Sequence, residues 1–177
     1  EENPMPNYFA HLTFGARVLA QLPEELRTSL EGERAAFDLG CLGPDPLFFY
    51  HPATGNPARR EGLKMHKCSA LPAFRRLRAA VEECVPMSRG YAAGFLCHLA
   101  LDSTCHPYVE QFTRESGVTH CEIETEFDNM LLRRDGYDPL KFFTASHIHP
   151  SEQNAKAIAP FYARASRSRW RWTRSRA

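Results

Sequence analysis

Three side chains able to bind a cation or move a proton stand at four-residue steps in the middle of the chain: His98, Asp102 and His106. A second pair, His120 and Glu124, repeats the step eighteen residues past Asp102. Residues four apart on an α-helix lie nearly one above the other, so each set forms a stripe, and two facing helices would enclose a cage. Imidazole nitrogens mixed with carboxylate oxygens suit zinc better than calcium or magnesium, which favour all-oxygen shells. A lone histidine in a helix is ordinarily a hydrogen-bonded core or surface residue. The joint pattern differs, because an uncompensated carboxylate inside apolar helices is costly to bury, and metal binding removes that cost.

The elements that must hold these stripes are helical. His11, Leu12, Phe14, Val18, Leu19 and Leu22 have helical periodicity that stops at Pro23, and Pro23-Glu24-Glu25 opens a helix to about Asp38. The segment from Gly40 to Gly62 is rich in Gly and Pro and reads as a long pinned loop. Helix resumes near Lys67 or Ser69, with Leu71, Phe74, Leu77 and Val81 as its apolar stripe and Arg75, Arg76 and Arg78 facing out. Ser88 reads as the N-cap of a central helix from Arg89 to His106, apolar all round and ended by Pro107. Thr119 caps a helix from His120 to about Arg134, and Asp135-Gly136 breaks it. A loop with His147 and His149, read as surface residues, leads to a last helix from Ser151 to about Ala165. No alternating pattern demands a strand. The expectation is an all-α, single-domain, multi-helix bundle over residues 5–165 with a metal site between its central helices. A basic Trp/Arg tail, 166–177, is expected to be disordered.

With 43% hydrophobic residues the chain can build a core without disulfides. Net charge is +1, yet five arginines fall in the tail SRSRWRWTRSRA, which leaves the body at −4 and argues against a nucleic-acid-coating surface. Cys41, Cys68, Cys84, Cys97, Cys105 and Cys121 form no CxxC pair and read as free, buried thiols of a reducing compartment. Cys97, Cys105 and Cys121 adjoin the histidines, but a helical neighbour points about 100° away, which disfavours them as ligands. No run approaches the roughly 18 apolar residues of a membrane span. Without a signal-like segment the expected location is the cytoplasm; the alternative is a secreted mature form whose signal has been removed.

Taken in order, His11, the Gly-Pro-Asp turn ending at Asp45, His66, the H-x3-D pair His98 and Asp102, His106, and the H-x3-E pair His120 and Glu124 resemble the zinc-dependent phospholipase C family. This all-helical group includes bacterial phospholipases and clostridial alpha-toxin catalytic domains, and is related in fold to single-strand-specific zinc nucleases. The resemblance covers roughly residues 7 to 130. It implies one zinc held by Asp45, His66, His98 and Asp102, and a second by His106, His120 and Glu124. A third would use His11, a bridging Asp102 and the amino-terminal group of a mature chain that begins with tryptophan, where this sequence opens at Glu1. The gap from Asp102 to His106 is shorter than in the secreted phospholipases, and no matching pattern is visible after about residue 150.

The chemistry implied is phosphodiester hydrolysis by metal-activated water, with Asp45 as the residue that orients or deprotonates it. The substrate is expected to be a phospholipid or a small phosphodiester, with transient contact at a membrane surface. Phe48, Phe49 and Tyr50 would receive lipid tails or a stacked base; His51, beside them, reads as loop packing. Two other readings stand beside this one: a non-catalytic binding domain in which metal only staples the helices, and a nuclease-like phosphodiesterase.

Overall fold

The computed structural model describes residues 8–48 and 56–142, and also positions 152, 154, 158, 161 and 162. Phe49, Tyr50, His51, His147, His149, the Trp/Arg tail and the expected bounds at residues 5 and 165 lie outside the described residues. Seven α-helices and one 3-10 turn make up the described chain, and no strand occurs among the described residues. The fold is an all-α multi-helix bundle, as the periodicity predicts.

The first helix, α1 (Tyr8–Gln21), ends before Pro23, which opens α2 (Glu24–Glu31) with Glu24 and Glu25 in its first turn. One continuous helix from Pro23 to Asp38 is the sequence expectation, but the structure breaks it at Gly32-Glu33 and restarts as α3 (Arg34–Cys41). The break has a use. Glu33 Oε2 accepts the Gly90 N–H at 2.6 Å, so a carboxylate caps the first turn of another helix.

That helix, α6 (Ser88–Ser116), is the centre of the bundle. Its N-cap is Met87, in the left-handed region, and Ser88 is instead its first helical residue. Gly40 and Gly94 let α3 and α6 meet backbone to backbone: a Cβ on Gly40 would stand 2.9 Å from Phe95 N, and one on Gly94 2.8 Å from Cys41 N. No larger residue fits there. Around α6 lie three apolar clusters. One joins Ala36, Tyr91 and Phe95 to Ala73 and Leu77 of α5 (Leu71–Glu82) and to Ile158 and Phe161. Another unites Leu19, Leu30, Phe37, Cys41 and Cys97. The third packs Phe9 and Ala10 against Leu131 and Leu132 of α7 (His120–Arg134).

Two further expectations need correction. Pro107 does not end the central helix, which runs nine residues farther to Ser116 and is capped by Gly117, where φ is +76° and the N–H bonds back to Thr113. A helix already anchored by buried Tyr91, Phe95 and His98 and flanked by α7 tolerates the roughly 3 kcal/mol cost of an interior proline. Nor is it buried all round: Tyr108 and Phe112 of its distal half are exposed. The expected loop from Gly40 to Gly62 also holds structure. Asp45–Phe48 form the 3-10 turn, and α4 (Pro57–Lys67) begins inside the segment, with Asn56 accepting the Arg59 N–H at 2.9 Å and Pro57 in the first turn. Gly62 brings α4 against Leu47 and Phe48 of the turn. Of the six cysteines only Cys41 and Cys97 are buried; Cys68 and Cys84 are exposed.

Candidate metal centre

Eight side chains from five elements converge beside α6. His11 comes from α1, Asp45 opens the 3-10 turn, His66 lies in the last turn of α4, His98, Asp102 and His106 descend α6, and His120 and Glu124 occupy the first turns of α7. Their donor atoms form three groups, each within 4.8 Å: His11, His98 and Asp102; Asp45, His66 and His98; and His106, His120 and Glu124. None of the cysteines belongs to them.

Asp102 links the groups. Its Oδ1 faces His11 Nε2 at 3.3 Å and His106 Nε2 at 3.6 Å, while Oδ2 faces His98 Nε2 at 3.2 Å. His11 and His98 stack with ring centroids 4.4 Å apart and are 2% and 4% exposed. Asp45, equally buried, lies 2.8 Å from His66 Nε2. Glu124 Oε1 stands 2.8 Å from His120 Nε2 and 3.5 Å from His106 Nε2. The grouping departs from the resemblance at one point: Asp102 sits with His11 and His98 rather than in a common group with Asp45 and His66.

The chemistry of these contacts fits a cation. The ring Nδ1 of His66 lies 2.9 Å from the Gly62 carbonyl, an oxygen that can only accept, so Nδ1 carries the proton. In the neutral ring the Nε2 lone pair then faces the Asp45 carboxylate, an arrangement that requires either a second proton or a metal ion between them. His11 and His98 likewise aim Nε2 at Asp102, and their buried Nδ1 atoms have no hydrogen-bond partner among the described residues. Each group also combines imidazoles with a carboxylate, the donor set zinc prefers.

The electrostatics follow from the same contacts. Burial opposes the charge on Asp102, but the hydrogen bonds and fields of His11 and His98 outweigh it and hold the carboxyl well below its ordinary range. His66 is depressed by burial and lifted more strongly by Asp45, for a net rise. Glu124 raises His106 against its partial burial.

Several contributors escaped the sequence reading. Asp128 lies one step beyond Glu124 in the stripe His120, Glu124, Asp128, and the spacing alone could have revealed it. Its two oxygens accept the N–H groups of Phe9 and Ala10 at 3.1 and 2.9 Å, which fixes the start of α1 and so the position of His11. Burial pushes its carboxyl up to about 6, although these two bonds pull the other way. Tyr8 senses the charge of Asp45 and is raised by burial and by that carboxylate. Arg76, expected to face solvent, instead lines the cavity that His66, His98 and His106 also border.

Two cavities open on the cluster. The larger, about 670 Å³, lies between α4, α5 and α6 and is bordered by His66, His98, Asp102 and His106. The smaller, about 200 Å³, lies between α6 and α7 and is bordered by Asp102, His106 and Glu124 with Leu101, Val109 and Phe127. Asp102 and His106 face both.

In comparison with known proteins, residues 10–172 match the family described as zinc dependent phospholipase C. The match extends well past residue 130, where the visible motifs end. No curated protein and no solved structure matches the chain.

Proposed function

The chain belongs to the zinc-dependent phospholipase C family, and from that premise we propose that it hydrolyses phosphodiesters, with phospholipids as the substrate class. The observation that carries this reading is the bridging geometry of Asp102, whose two oxygens tie adjoining donor groups together where two cavities meet. Asp45, His66 and His98 would hold one zinc, and His106, His120 and Glu124 a second; His11 with Asp102 offers a third position. Bound zinc supplies positive charge to the phosphodiester oxygens and makes water a nucleophile at neutral pH.

The residues of the chain supply the rest. Asp45 orients the attacking water and takes its proton, held in place by the 3-10 turn and by His66. His66 is oriented in turn by the Gly62 carbonyl. Asp102 and Glu124 keep the histidines of α6 and α7 turned inward. The reaction adds water across the ester: the phosphorus–oxygen bond to the glyceride breaks, and diacylglycerol leaves with a proton as the headgroup departs as a phosphomonoester. No strongly basic surface is required.

A second reading, a metal-stapled binding domain, is favoured by the number of elements the donors join. Asp45→Asn separates the two. The hydrolase reading expects turnover of short-chain phosphatidylcholine to fall about 10²- to 10⁴-fold with helicity retained. Loss of helicity on chelation, with no phosphodiester turned over by the zinc-loaded protein, supports the staple.

A further inference from the structure

The charges around the two cavities are unequal. Besides the cluster itself, the larger cavity is lined by Glu61, Lys64, Lys67, Arg76 and Glu110. Glu61 lies 3.5 Å from Lys64 and its field also reaches Arg76, so outside the cluster the three cations Lys64, Lys67 and Arg76 stand against the two carboxylates of Glu61 and Glu110. Among the described residues no lysine or arginine lines the smaller cavity, whose charged borders are Asp102, His106 and Glu124 and whose other walls are largely apolar.

Arg76 is the unusual member. Its guanidinium carbon lies 5.2 Å from the centre of the Phe161 ring, and its Nε is buried with no hydrogen-bond partner among the described residues. Burial lowers its pKa, partly offset by the fields of Glu61 and Tyr162. A guanidinium packed beside an aromatic ring at a cavity wall, with Nε covered, has its terminal nitrogens left to bind a planar or tetrahedral anion.

Since Asp102 and His106 face both cavities, a phosphodiester at the cluster would send one ester arm into each. The apolar walls of the smaller cavity, with Tyr108 and Phe127 exposed at its edge, suit the glyceride. The headgroup then enters the larger cavity. Resting on the hydrolase reading, we infer that the α4–α5 wall selects phospholipids whose headgroup carries a second anion besides the diester, with Arg76 as its principal contact and Lys67 as support. A cationic headgroup meets a wall with a net positive charge there instead, which disfavours it.

Phosphatidylserine and phosphatidylethanolamine differ by one carboxylate and form a matched pair. With zinc-loaded protein and short-chain lipids, the expected kcat/KM is about tenfold higher for the serine lipid, expressed in KM, as one charge-assisted contact would give. Calorimetry with the corresponding products should show phosphoserine binding about tenfold tighter than phosphoethanolamine. Arg76→Met should collapse both ratios to within twofold, and Arg76→Lys should restore part of each; thermal melts establish that both variants fold. Equal handling of the two lipids by the unaltered protein overturns the inference while leaving the hydrolase reading intact. So does Arg76→Met weakening both members of the pair alike, which would place Arg76 on the diester phosphate. If no diester is turned over but phosphoserine still binds in an Arg76-dependent way, the hydrolase reading fails and the anion subsite stands.

Discussion

At the residue scale, the site sets imidazole nitrogens against carboxylates, and a proton and a metal ion compete for the same nitrogens. His66 and His106 both sit above the ordinary imidazole value of 6.5: at His66 the contact with Asp45 overcomes burial, and at His106 the bond to Glu124 dominates. A histidine that binds zinc must shed its proton, so binding releases protons and affinity rises with pH. Zinc affinity should therefore fall as pH drops through these raised values, beginning above 6.5, and calorimetry in buffers of different ionisation enthalpy will count the protons released. Affinity that stays flat from pH 8 to 6 would contradict the assignment of these histidines. The candidates on α6 and α7 were legible in the sequence because helical spacing places side chains on one face, whereas His11, Asp45 and His66 entered through the family resemblance. How Asp102 divides its oxygens among His11, His98 and His106 was not, since that depends on the approach of α1 to α6.

At the element scale, what mattered was whether a signal is local. The bounds of α7 could be read from Thr119 and Asp135-Gly136, because a capping box needs only its own residues: Thr119 Oγ1 accepts the Glu122 N–H while Glu122 accepts the Thr119 N–H. α4 was hidden because Pro57 and Gly62 read as breakers, yet proline is welcome in a first turn and Gly62 makes room for Phe48. Pro107 misled in the same way. Two substitutions test how the elements aim the site. Gly43 has φ +54°, and a Cβ there would strike the His98 ring, so Gly43→Ala should destabilise the fold by about 1–2 kcal/mol and reduce bound zinc. Urea denaturation and metal analysis will show both; unchanged zinc content would mean that His98 is not held from this side. Asp128→Asn leaves one acceptor where Phe9 and Ala10 need two, and should cost about 1–2 kcal/mol. A neutral effect would show that the start of α1 does not depend on this carboxylate.

For the whole molecule, the donor groups join α1, the 3-10 turn, α4, α6 and α7, so metal held by them would couple its binding to folding. At free zinc a hundredfold above its Kd, a site confined to the folded state adds about 2.7 kcal/mol of stability. The melting temperature should rise with zinc and drop on chelation; no dependence on either would deny that the groups bind metal. The helical class and the chain order of the site were visible in the sequence, whereas the two cavities and the turn of Arg76 into the larger one arise only when α4, α5 and α7 pack around α6.

The most direct test is to purify the protein without added metal, count zinc per chain, and assay it against phosphatidylcholine, phosphatidylethanolamine, phosphatidylserine, nitrophenyl phosphodiesters and single-stranded DNA before and after chelation. The account predicts at least two zinc ions per chain and phospholipid turnover that disappears with the metal and returns when zinc is restored. A protein that holds less than one zinc ion, or that holds zinc and cleaves none of these esters, contradicts it.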